Sequence, residues 1–471
     1  MGESPTRIGG WKRLFPAKAP LPFFLGLTFL FTWTQLLYSS KVLLLPPGNL
    51  LPLSITHLFS TFAAIALNVV IVLVSRQVTP LQLRRETLHF FGILGAVATC
   101  GIPFVSAGVI GNTWVFACVF LTATSGTWLA IAWYEQFATQ GVRGALLCYA
   151  ACTVLSAPLS LLISLLPQSA GIVFTVLLPI LATFSLRPFP NPVLSATADA
   201  VASRPTFKTL LSDTPLRLIL VVGIVSFAMG AIRTLSLPND PALTPMGEWL
   251  ASLTTGALAL IIAGLFAFLS YRVNPAIAFY IAIPAIALTS LLLIAPLELP
   301  GALLGGITTT GTNLVNILVW LVLINAVIEK HLPAAWCFGL LGAFQFTGTL
   351  LGQLTTIATG SNLLVIAFVL LIVLIAAALV ALGAQRSLVT LGSAPRDIEC
   401  QANTLADARG LSPREREVLL IWISGHNSAH IEQALSISKN TVKTHLSHIY
   451  LKTETASREE LLTLVEKTEA P

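Results

Sequence analysis

Charged side chains are scarce in this sequence of 471 residues. Asp, Glu, Lys and Arg together make up 10% of it, against 55% hydrophobic residues, and the mean hydropathy is +0.85. Soluble globular domains carry about 25% charged residues. The shortage of charge therefore excludes a soluble globular protein and indicates an integral membrane protein. Much of the basic excess behind the net charge of +6 lies in loops between apolar segments, so this charge gives no support for nucleic-acid binding.

Reactive and metal-ligating side chains are also sparse. The chain has six cysteines, and Cys148 and Cys152 have the i, i+4 spacing of a helix face without the paired arrangement of a zinc site. No nucleophile with its base, carboxylate pair or phosphate-binding glycine loop stands out. We therefore predict no metal site, no cofactor and no enzymatic activity.

Long apolar runs fill the chain from residue 21 to residue 384. A helix needs about 20 residues to cross about 30 Å of hydrocarbon. Runs of this length form two sets of six, at 21–40, 53–75, 88–109, 113–134, 144–166 and 170–187, and at 216–236, 247–270, 275–297, 302–327, 333–357 and 361–384. They predict an all-α fold, a polytopic membrane bundle of about twelve transmembrane helices arranged 6+6. The first run could instead be a cleaved signal peptide, but its length favours a retained helix.

Basic residues indicate which side of the membrane each loop faces. Most Lys and Arg residues before the tail precede the first span, follow even-numbered spans, or lie in or beside the central loop at 188–215. The alternate loops hold only Lys41 and Arg233. Cytoplasmic loops carry such an excess of Lys and Arg. We therefore predict a multi-pass cell-membrane protein in which residues 1–20, the central loop and the C-terminus are cytoplasmic.

Six spans, a cytoplasmic loop and six more spans resemble the architecture of the major facilitator superfamily of transporters. The loop after the second span, RQVTPLQLRRETL, keeps the basic residues Arg84 and Arg85 but has neither the Gly nor the Asp of that family's usual loop. The resemblance implies a carrier-like bundle over residues 21–384. Ion-coupled carriers commonly place charged residues at membrane depth, and these spans contain almost none. We therefore predict that this region is a sensor, with transport as the alternative.

Polar residues inside the spans offer one candidate ligand site. Thr309, Asn313 and Asn316 recur at i, i+4 and i+7 in the tenth span, so they share one helix face. This stripe could line a site for a neutral or weakly polar small molecule, or it could join helices by hydrogen bonds. Glu135 and Arg233 lie near span ends, where snorkelling to the headgroups is the ordinary explanation.

The polar tail opens with a connection and a strongly marked helix start. Residues 385–408 are predicted to be a flexible linker or a loosely held helix. After them, Ser412 as N-cap, Pro413 at the first helical position and Glu415 at the third predict a capping box, and Gly425 predicts the end of that helix.

The next two segments have helix-turn-helix order. A short helix at 428–435 is followed by a turn ending at Ser438, which can cap a helix at about 440–452. The segment from Lys439 to Lys452 has three lysines and no carboxylate, which focuses a positive field where a DNA groove would lie. The side chains predicted to project from the core towards that groove are Asn440, Lys443, Thr444 and Ser447.

These residues resemble the LuxR-type DNA-binding domain. The match runs without a gap over about residues 409–468 and includes LSPREREVL, SKNTVKTH and HIY. By that resemblance, residues 409–471 form a four-helix DNA-binding domain, and its last helix, 457–467, supports pairing into a homodimer. The residues expected to contact DNA are Lys439, Asn440, Thr441, Lys443, Thr444, His445, Ser447 and His448.

The two resemblances together imply a membrane-anchored transcriptional regulator. Its expected partners are double-stranded DNA, the lipid bilayer and a small-molecule ligand that the membrane region senses. The alternative is a major-facilitator-like transporter with an appended DNA-binding regulatory domain. A helical domain used only for protein contact is a third interpretation of the tail.

Overall fold

The computed structural model divides the chain into two compact units, Met1–Leu388 and Val389–Pro471. We call them the membrane unit and the C-terminal unit. The structure describes residues 21–39, 42–43, 53–75, 81, 84–186, 207–236, 253–254, 256–257, 261, 284, 286–288, 301–330, 332–360, 362–383, 395–423, 428–435, 437–455 and 457–468.

Helices are the regular elements of the described residues in both units. Those of the membrane unit are α1 (Leu21–Ser39), α2 (Leu53–Val74), α3 (Arg85–Ser106), α4 (Trp114–Ala138), α5 (Gly141–Leu165), α6 (Gln168–Ser185), α7 (Phe207–Asp213), α8 (Leu216–Ser236), α9 (Gly301–Lys330), α10 (Ala334–Ala358) and α11 (Leu363–Gly383). Those of the C-terminal unit are α12 (Pro395–Ala408), α13 (Pro413–Ile423), α14 (Ser428–Leu435), α15 (Lys439–Thr453) and α16 (Arg458–Lys467).

Nine helices in the described part of the chain are long and apolar enough to cross a bilayer, namely α2 to α6 and α8 to α11. The apolar part of α1 is shorter, at Leu25–Leu37. The prediction of an all-α membrane bundle is confirmed. The predicted spans at 247–270 and 275–297 lie almost wholly outside the described residues.

Burial separates the central helices of the bundle from those at its surface. In α9, 78% of an 18-residue apolar stretch within Gly306–Ile328 is buried, whereas in α11 only 28% of Leu363–Val380 is buried, although α11 has the higher hydropathy. A helix that is apolar on every side and little buried suits contact with lipid. The polar stripe predicted in the tenth span therefore belongs to a central helix.

Glycine residues allow α8 and α10 to approach each other closely. A Cβ on Gly348 would overlap the carbonyl oxygen of Gly223, and a Cβ on Gly230 would overlap that of Thr349. Thr356 also donates a hydrogen bond from Oγ1 to the carbonyl oxygen of Ala231, at 3.2 Å. Lipid tails remove the hydrophobic drive for helix association, so such small-residue contacts supply the packing energy. Residue numbers rise together along this contact, so α8 and α10 run parallel.

The C-terminal unit has one core to which five helices contribute. The segment predicted as a flexible linker or a loosely held helix contains α12, which packs against this core. Leu405 and Ala406 have 4% and 0% of their surface exposed, because their spacing from Ala402 places all three on one helix face against α13 and α16. The buried core residues are Ala402, Leu405, Ala406, Leu411, Val418, Leu419, Ile423, Ile431, Val442, Leu446, Ile449, Leu461 and Val465.

Gly348→Ala is expected to lower the unfolding temperature of the full chain in detergent. The added methyl would push α8 and α10 apart, at a cost of about 1–3 kcal/mol. Gly126→Ala is the matched control, because its Cβ would meet Trp33 at an ordinary contact distance of 3.5 Å. Equal unfolding temperatures for the two variants would show that the glycine contact contributes little to stability.

Candidate nucleic-acid interface and membrane cavity

Helix α15 begins at a side-chain cap and has one buried face. Ser438 accepts a hydrogen bond at Oγ from the backbone N–H of Thr441, at 3.2 Å, as the sequence predicted. Val442, Leu446 and Ile449 then turn into the core. Because this face is fixed by burial, the positions on the opposite side of the helix are directed away from the core.

The structure exposes six of the eight side chains predicted to contact DNA. Thr441 and His445 are partly buried, and Thr441 Oγ1 lies 2.8 Å from the Ser438 hydroxyl of the cap. The exposed six are Lys439, Asn440, Lys443, Thr444, Ser447 and His448. Most of the predicted set therefore shares the surface opposite the core.

Leu451 belongs to the same surface and was missed by the sequence analysis. It is 79% exposed, and it follows Ser447 by four residues on the stripe that also holds Asn440 and Thr444. The i, i+4 spacing from Ser447 was a signal that could have found it. We call Asn440, Thr444, Ser447 and Leu451 the outer stripe of α15.

Glu415 joins the start of α13 to the end of α15. Its Oε2 accepts hydrogen bonds from the backbone N–H of Ser412, at 2.8 Å, and from Lys452 Nζ, at 2.7 Å. The backbone N–H of Glu415 donates in return to Ser412 Oγ, at 3.3 Å, which completes the predicted capping box. His448 Nδ1 lies 3.4 Å from Glu415 Oε1, so this histidine lies beside α13 and not at the centre of the outer stripe.

These contacts set the ionisation of Glu415. Burial alone would raise its pKa, but hydrogen bonds from Lys452 and Ser412 outweigh burial and lower the pKa to about 2. The carboxylate is therefore charged at neutral pH, although only 4% of the residue is exposed. Lys452 also donates to the carbonyl oxygen of Gly410, at 3.2 Å. This lysine links the end of α15 to the start of α13, so it is less available to contact DNA than Lys439 or Lys443.

A second set of contacts holds α16 against α13 and α15. The Arg458 guanidinium lies 4.5 Å from the ring centroid of Trp422 and donates to the Trp422 carbonyl oxygen at 2.5 Å. Trp422 donates from Nε1 to the Tyr450 hydroxyl at 2.9 Å. These contacts fix the last helix relative to the recognition helix.

The stripe predicted in the tenth span is only partly brought into one site. Asn316 lines a cavity of about 340 Å³ and donates from Nδ2 to Gln345 Oε1 of α10, at 3.2 Å. Thr309 and Asn313 are partly buried and are not among the described residues that line this cavity. The prediction of interhelical hydrogen bonding is met at Asn316, which also faces the cavity.

The cavity lies between helices of both predicted sets. Its walls come from α1, α2, α4 and α5 of the first set and from α8, α9 and α10 of the second. Arg233 lines it, although the sequence analysis assigned this residue to the membrane interface. Arg233 follows Gly230 by three residues and therefore lies near the face of α8 that packs on α10. This spacing could have predicted from the sequence that Arg233 lies inside the bundle. Within the described residues, no group of three potential metal ligands occurs.

Comparison with known proteins identifies the C-terminal helices. Residues 409–465 match the family of bacterial regulatory proteins of the luxR type. The C-terminal unit contains a LuxR-type DNA-binding domain. The chain is also 39% identical over 54 residues to a protein described as the HTH-type transcriptional regulator YhjB of Escherichia coli (strain K12). That match covers 12% of this chain and 27% of YhjB, so the chain spans about a quarter of that relative.

The membrane unit has the fold of solved transporters. A bacterial homologue of the iron transporter ferroportin in its outward-facing state has a TM-score of 0.54 and 13% identity, covering 79% of this chain and 98% of its own. The same homologue with soaked iron gives 0.53 and 11%. The major facilitator superfamily transporter FucP gives 0.49 and 13%, covering 77% and 99%. The predicted carrier-like architecture is confirmed as a fold.

Replacing Glu415 is expected to loosen the joint between α13 and α15. Glu415→Ala removes the cap and the Lys452 contact, which should cost about 1 kcal/mol and speed backbone hydrogen exchange in both helices of the full chain. Glu417→Ala is the matched control, since Glu417 pairs with Arg414 on the surface, where such a pair contributes little. Unchanged exchange in Glu415→Ala would contradict this role.

The same carboxylate predicts an acid-dependent stability. Because its pKa is lowered in the folded state, its contribution is present above about pH 4.5 and is lost as the pH falls towards about 2. Pulse proteolysis of the full chain with pepsin should therefore show a difference between wild type and Glu415→Gln that shrinks from pH 4.5 to pH 2. A difference that is constant over this range would rule out the ionised Glu415 as its source.

Proposed function

We propose that this protein is a membrane-anchored transcriptional regulator. The observation that carries the proposal is the presence, on one chain, of a LuxR-type domain at residues 409–465 and a membrane unit with a transporter fold. A DNA-binding domain functions where DNA is present, so the proposal places the C-terminus in the cytoplasm. The basic loops that follow even-numbered spans support that orientation.

The outer stripe of α15 is proposed to lie in the major groove. Asn440, Thr444 and Ser447 offer side chains that can bond base edges, and Leu451 offers an apolar contact of the kind that recognises the methyl group of thymine. Lys439 and Lys443 flank this stripe at exposed positions and are proposed to meet phosphates. His448 is proposed to reach DNA only from the side that faces Glu415.

Pairing of two copies is proposed to occur through α16. Leu461 and Val465 point into the core, whereas Leu462 and Leu464 keep part of their side chains exposed beside it. A single LuxR-type domain presents one recognition helix, and two linked copies bind paired half-sites more tightly by raising the effective concentration of the second. A homodimer would therefore bind DNA more tightly than a single domain.

The membrane cavity is proposed to hold the small molecule that is sensed. It has a volume of about 340 Å³, within the range of ligand sites, and both sets of helices contribute to its walls. A ligand held between the two sets can favour one arrangement of the bundle over another only if its affinity differs between them. We propose that this difference in ligand affinity is what changes the occupancy of DNA by the C-terminal unit.

A second candidate function is transport combined with regulation. The transporter fold of the membrane unit favours it. Binding and movement across the membrane are separable, because a sensor needs only a change in conformation that the C-terminal unit can follow. Flux of substrate through the purified protein in proteoliposomes would support this candidate.

Lys443→Ala is expected to weaken binding of the full chain in nanodiscs to any duplex DNA. Loss of one phosphate contact should reduce the slope of log affinity against log salt by about 1, whatever the DNA sequence. Lys208→Ala is the matched control, because Lys208 is an exposed lysine of the membrane unit. An unchanged salt slope in Lys443→Ala would remove this residue from the proposed interface.

Mapping of chromosomal occupancy in cells tests the function as a whole. Wild-type protein should occupy discrete promoter regions, Lys443→Ala should lose most of this occupancy, and candidate small molecules should shift it. Occupancy that is absent for the wild type, or an accessible C-terminal tag outside the cell, would refute the regulator. Ligand-dependent occupancy without flux in proteoliposomes would exclude the transporter candidate.

A further inference from the structure

Four aromatic side chains meet at one end of the membrane cavity. The ring centroid of Trp320 lies 5.5 Å from that of Tyr134, 5.3 Å from that of Tyr149 and 6.2 Å from that of Phe338. The rings of Tyr134 and Phe338 are also 5.5 Å apart. All four residues line the cavity, and they come from four different helices. We call them the aromatic cluster, and they give this end of the cavity a surface on which another ring can pack.

Two buried polar atoms lie beside the aromatic cluster on α9. Trp320 is 3% exposed, and its Nε1 donor has no hydrogen-bond partner within the described residues. Asn316 uses Nδ2 for its bond to Gln345, and its buried Oδ1 acceptor has no partner in the same part of the chain. Both residues line the cavity. They are four residues apart, so they share one face of α9 and are separated by about 6 Å along its axis.

Arg233 lies at the opposite end of the cavity and is already engaged. The hydrogen bond from Thr356 to Ala231 places Arg233 beside the last turn of α10. Phe338 precedes Thr356 by eighteen residues, or about 27 Å along that helix. Arg233 also interacts with another group of the protein. Its charge is therefore neither close to the aromatic cluster nor available to a ligand held there.

The other ionisable side chains near the cavity do not place a charge at its aromatic end. The described residues that line the cavity include no Asp, Glu or Lys. His57 precedes Asn68 by eleven residues, or about 16 Å along α2, and it is Asn68 that packs against Gly342 in the first half of α10. Glu135, which follows Tyr134, is buried but is not among the described lining residues. Burying an ionised ligand without a counter-charge is costly, so this end favours an uncharged one.

We propose that the aromatic end of the cavity binds an uncharged aromatic compound that carries an adjacent acceptor and donor, such as a primary amide. The ring of the ligand packs on the aromatic cluster by stacked or edge-on contacts. The amide oxygen accepts from Trp320 Nε1, and the amide N–H donates to Asn316 Oδ1. Each contact satisfies a buried polar atom that otherwise costs free energy.

One small molecule can make all of these contacts, because Trp320 belongs both to the aromatic cluster and to the polar pair on α9. The inference names the ligand class for the proposed regulatory function. It rests on that function only for its effect on DNA.

A series of phenyl-substituted amides tests the inference on the full chain in nanodiscs. Benzamide, 2-phenylacetamide and 3-phenylpropionamide are titrated by calorimetry, and empty nanodiscs correct for partition into lipid. The best amide is then compared with the acid and the amine of the same chain length, which are ionised, and with its cyclohexyl analogue, which lacks the aromatic ring. At least one amide should bind saturably, and the three analogues should bind at least tenfold more weakly. Failure of all three amides, or equal binding of any analogue, overturns the inference.

Variants of the polar pair provide the second measurement. Trp320→Phe keeps a ring and removes the donor, so it should weaken binding of the amide at least fivefold and leave binding of the phenylalkane of the same length unchanged. Trp128→Phe is the matched control, because Trp128 Nε1 is also buried without a partner among the described residues but Trp128 does not line the cavity. Unaltered amide binding in a folded Trp320→Phe refutes the site.

Asn316→Ala tests the acceptor and should also weaken the amide at least fivefold. Asn313→Ala is its control, since Asn313 lies on the same helix and is not among the described residues that line the cavity. If Trp320→Phe does not fold, the comparison of these two variants decides, and equal binding of the amide by both refutes the site.

The same samples separate this inference from the regulatory function. An amide that binds through Trp320 but leaves promoter occupancy unchanged supports the site and counts against ligand-controlled transcription. Amide-independent occupancy together with failure of all three amides refutes the site and leaves DNA binding in place. Occupancy that shifts with the amide in wild type but not in Trp320→Phe supports both.

Discussion

Hydrocarbon offers no partner for a backbone amide or carbonyl, and this constraint governs the membrane unit. Each span must satisfy its own backbone as a helix, and buried hydroxyls follow the same rule, as when Thr99 donates to the carbonyl oxygen of Gly95 at 2.7 Å. Lipid contact then removes the hydrophobic drive for helix association, so the helices depend on close approach. The glycine contact between α8 and α10 is the clearest case.

The C-terminal unit depends in a similar way on one residue, Glu415, which joins the start of α13 to the end of α15. Helix α12 ends at Ala408 and is followed by Gly410 at φ +61°, and the N–H of Leu411 donates to the carbonyl oxygen of Ala406 at 2.8 Å. Ser412 starts α13 immediately afterwards, and Lys452 contacts both Gly410 and Glu415. Because every contact lies within one unit, α12, α13 and α15 form a continuous packed body. A displacement of α12 would therefore also displace the recognition helix, α15.

The sequence alone predicted those elements whose signals lie within a few neighbouring residues. Apolar runs predicted the membrane helices, and Ser412, Glu415 and Ser438 predicted two helix starts that the structure contains. The sequence alone could not predict burial or sites that are formed by residues from distant segments of the chain. The burial of Leu405 in α12 depends on α13 and α16, so a polar composition alone suggested a linker. The cavity likewise needs seven helices at once, and a single-helix stripe could locate only Asn316.

A cavity walled by both sets of helices is well placed to regulate because its shape depends on their arrangement. Moving a two-state equilibrium from 1:99 to 99:1 needs about 10⁴-fold tighter binding to the favoured state. A polar contact to the ligand that forms in only one arrangement would contribute to such a difference, since polar contacts strengthen as water is excluded. Contacts formed equally in both arrangements would add affinity without adding control. Control would then depend on the contacts that differ between the two arrangements, and affinity on the contacts that they share.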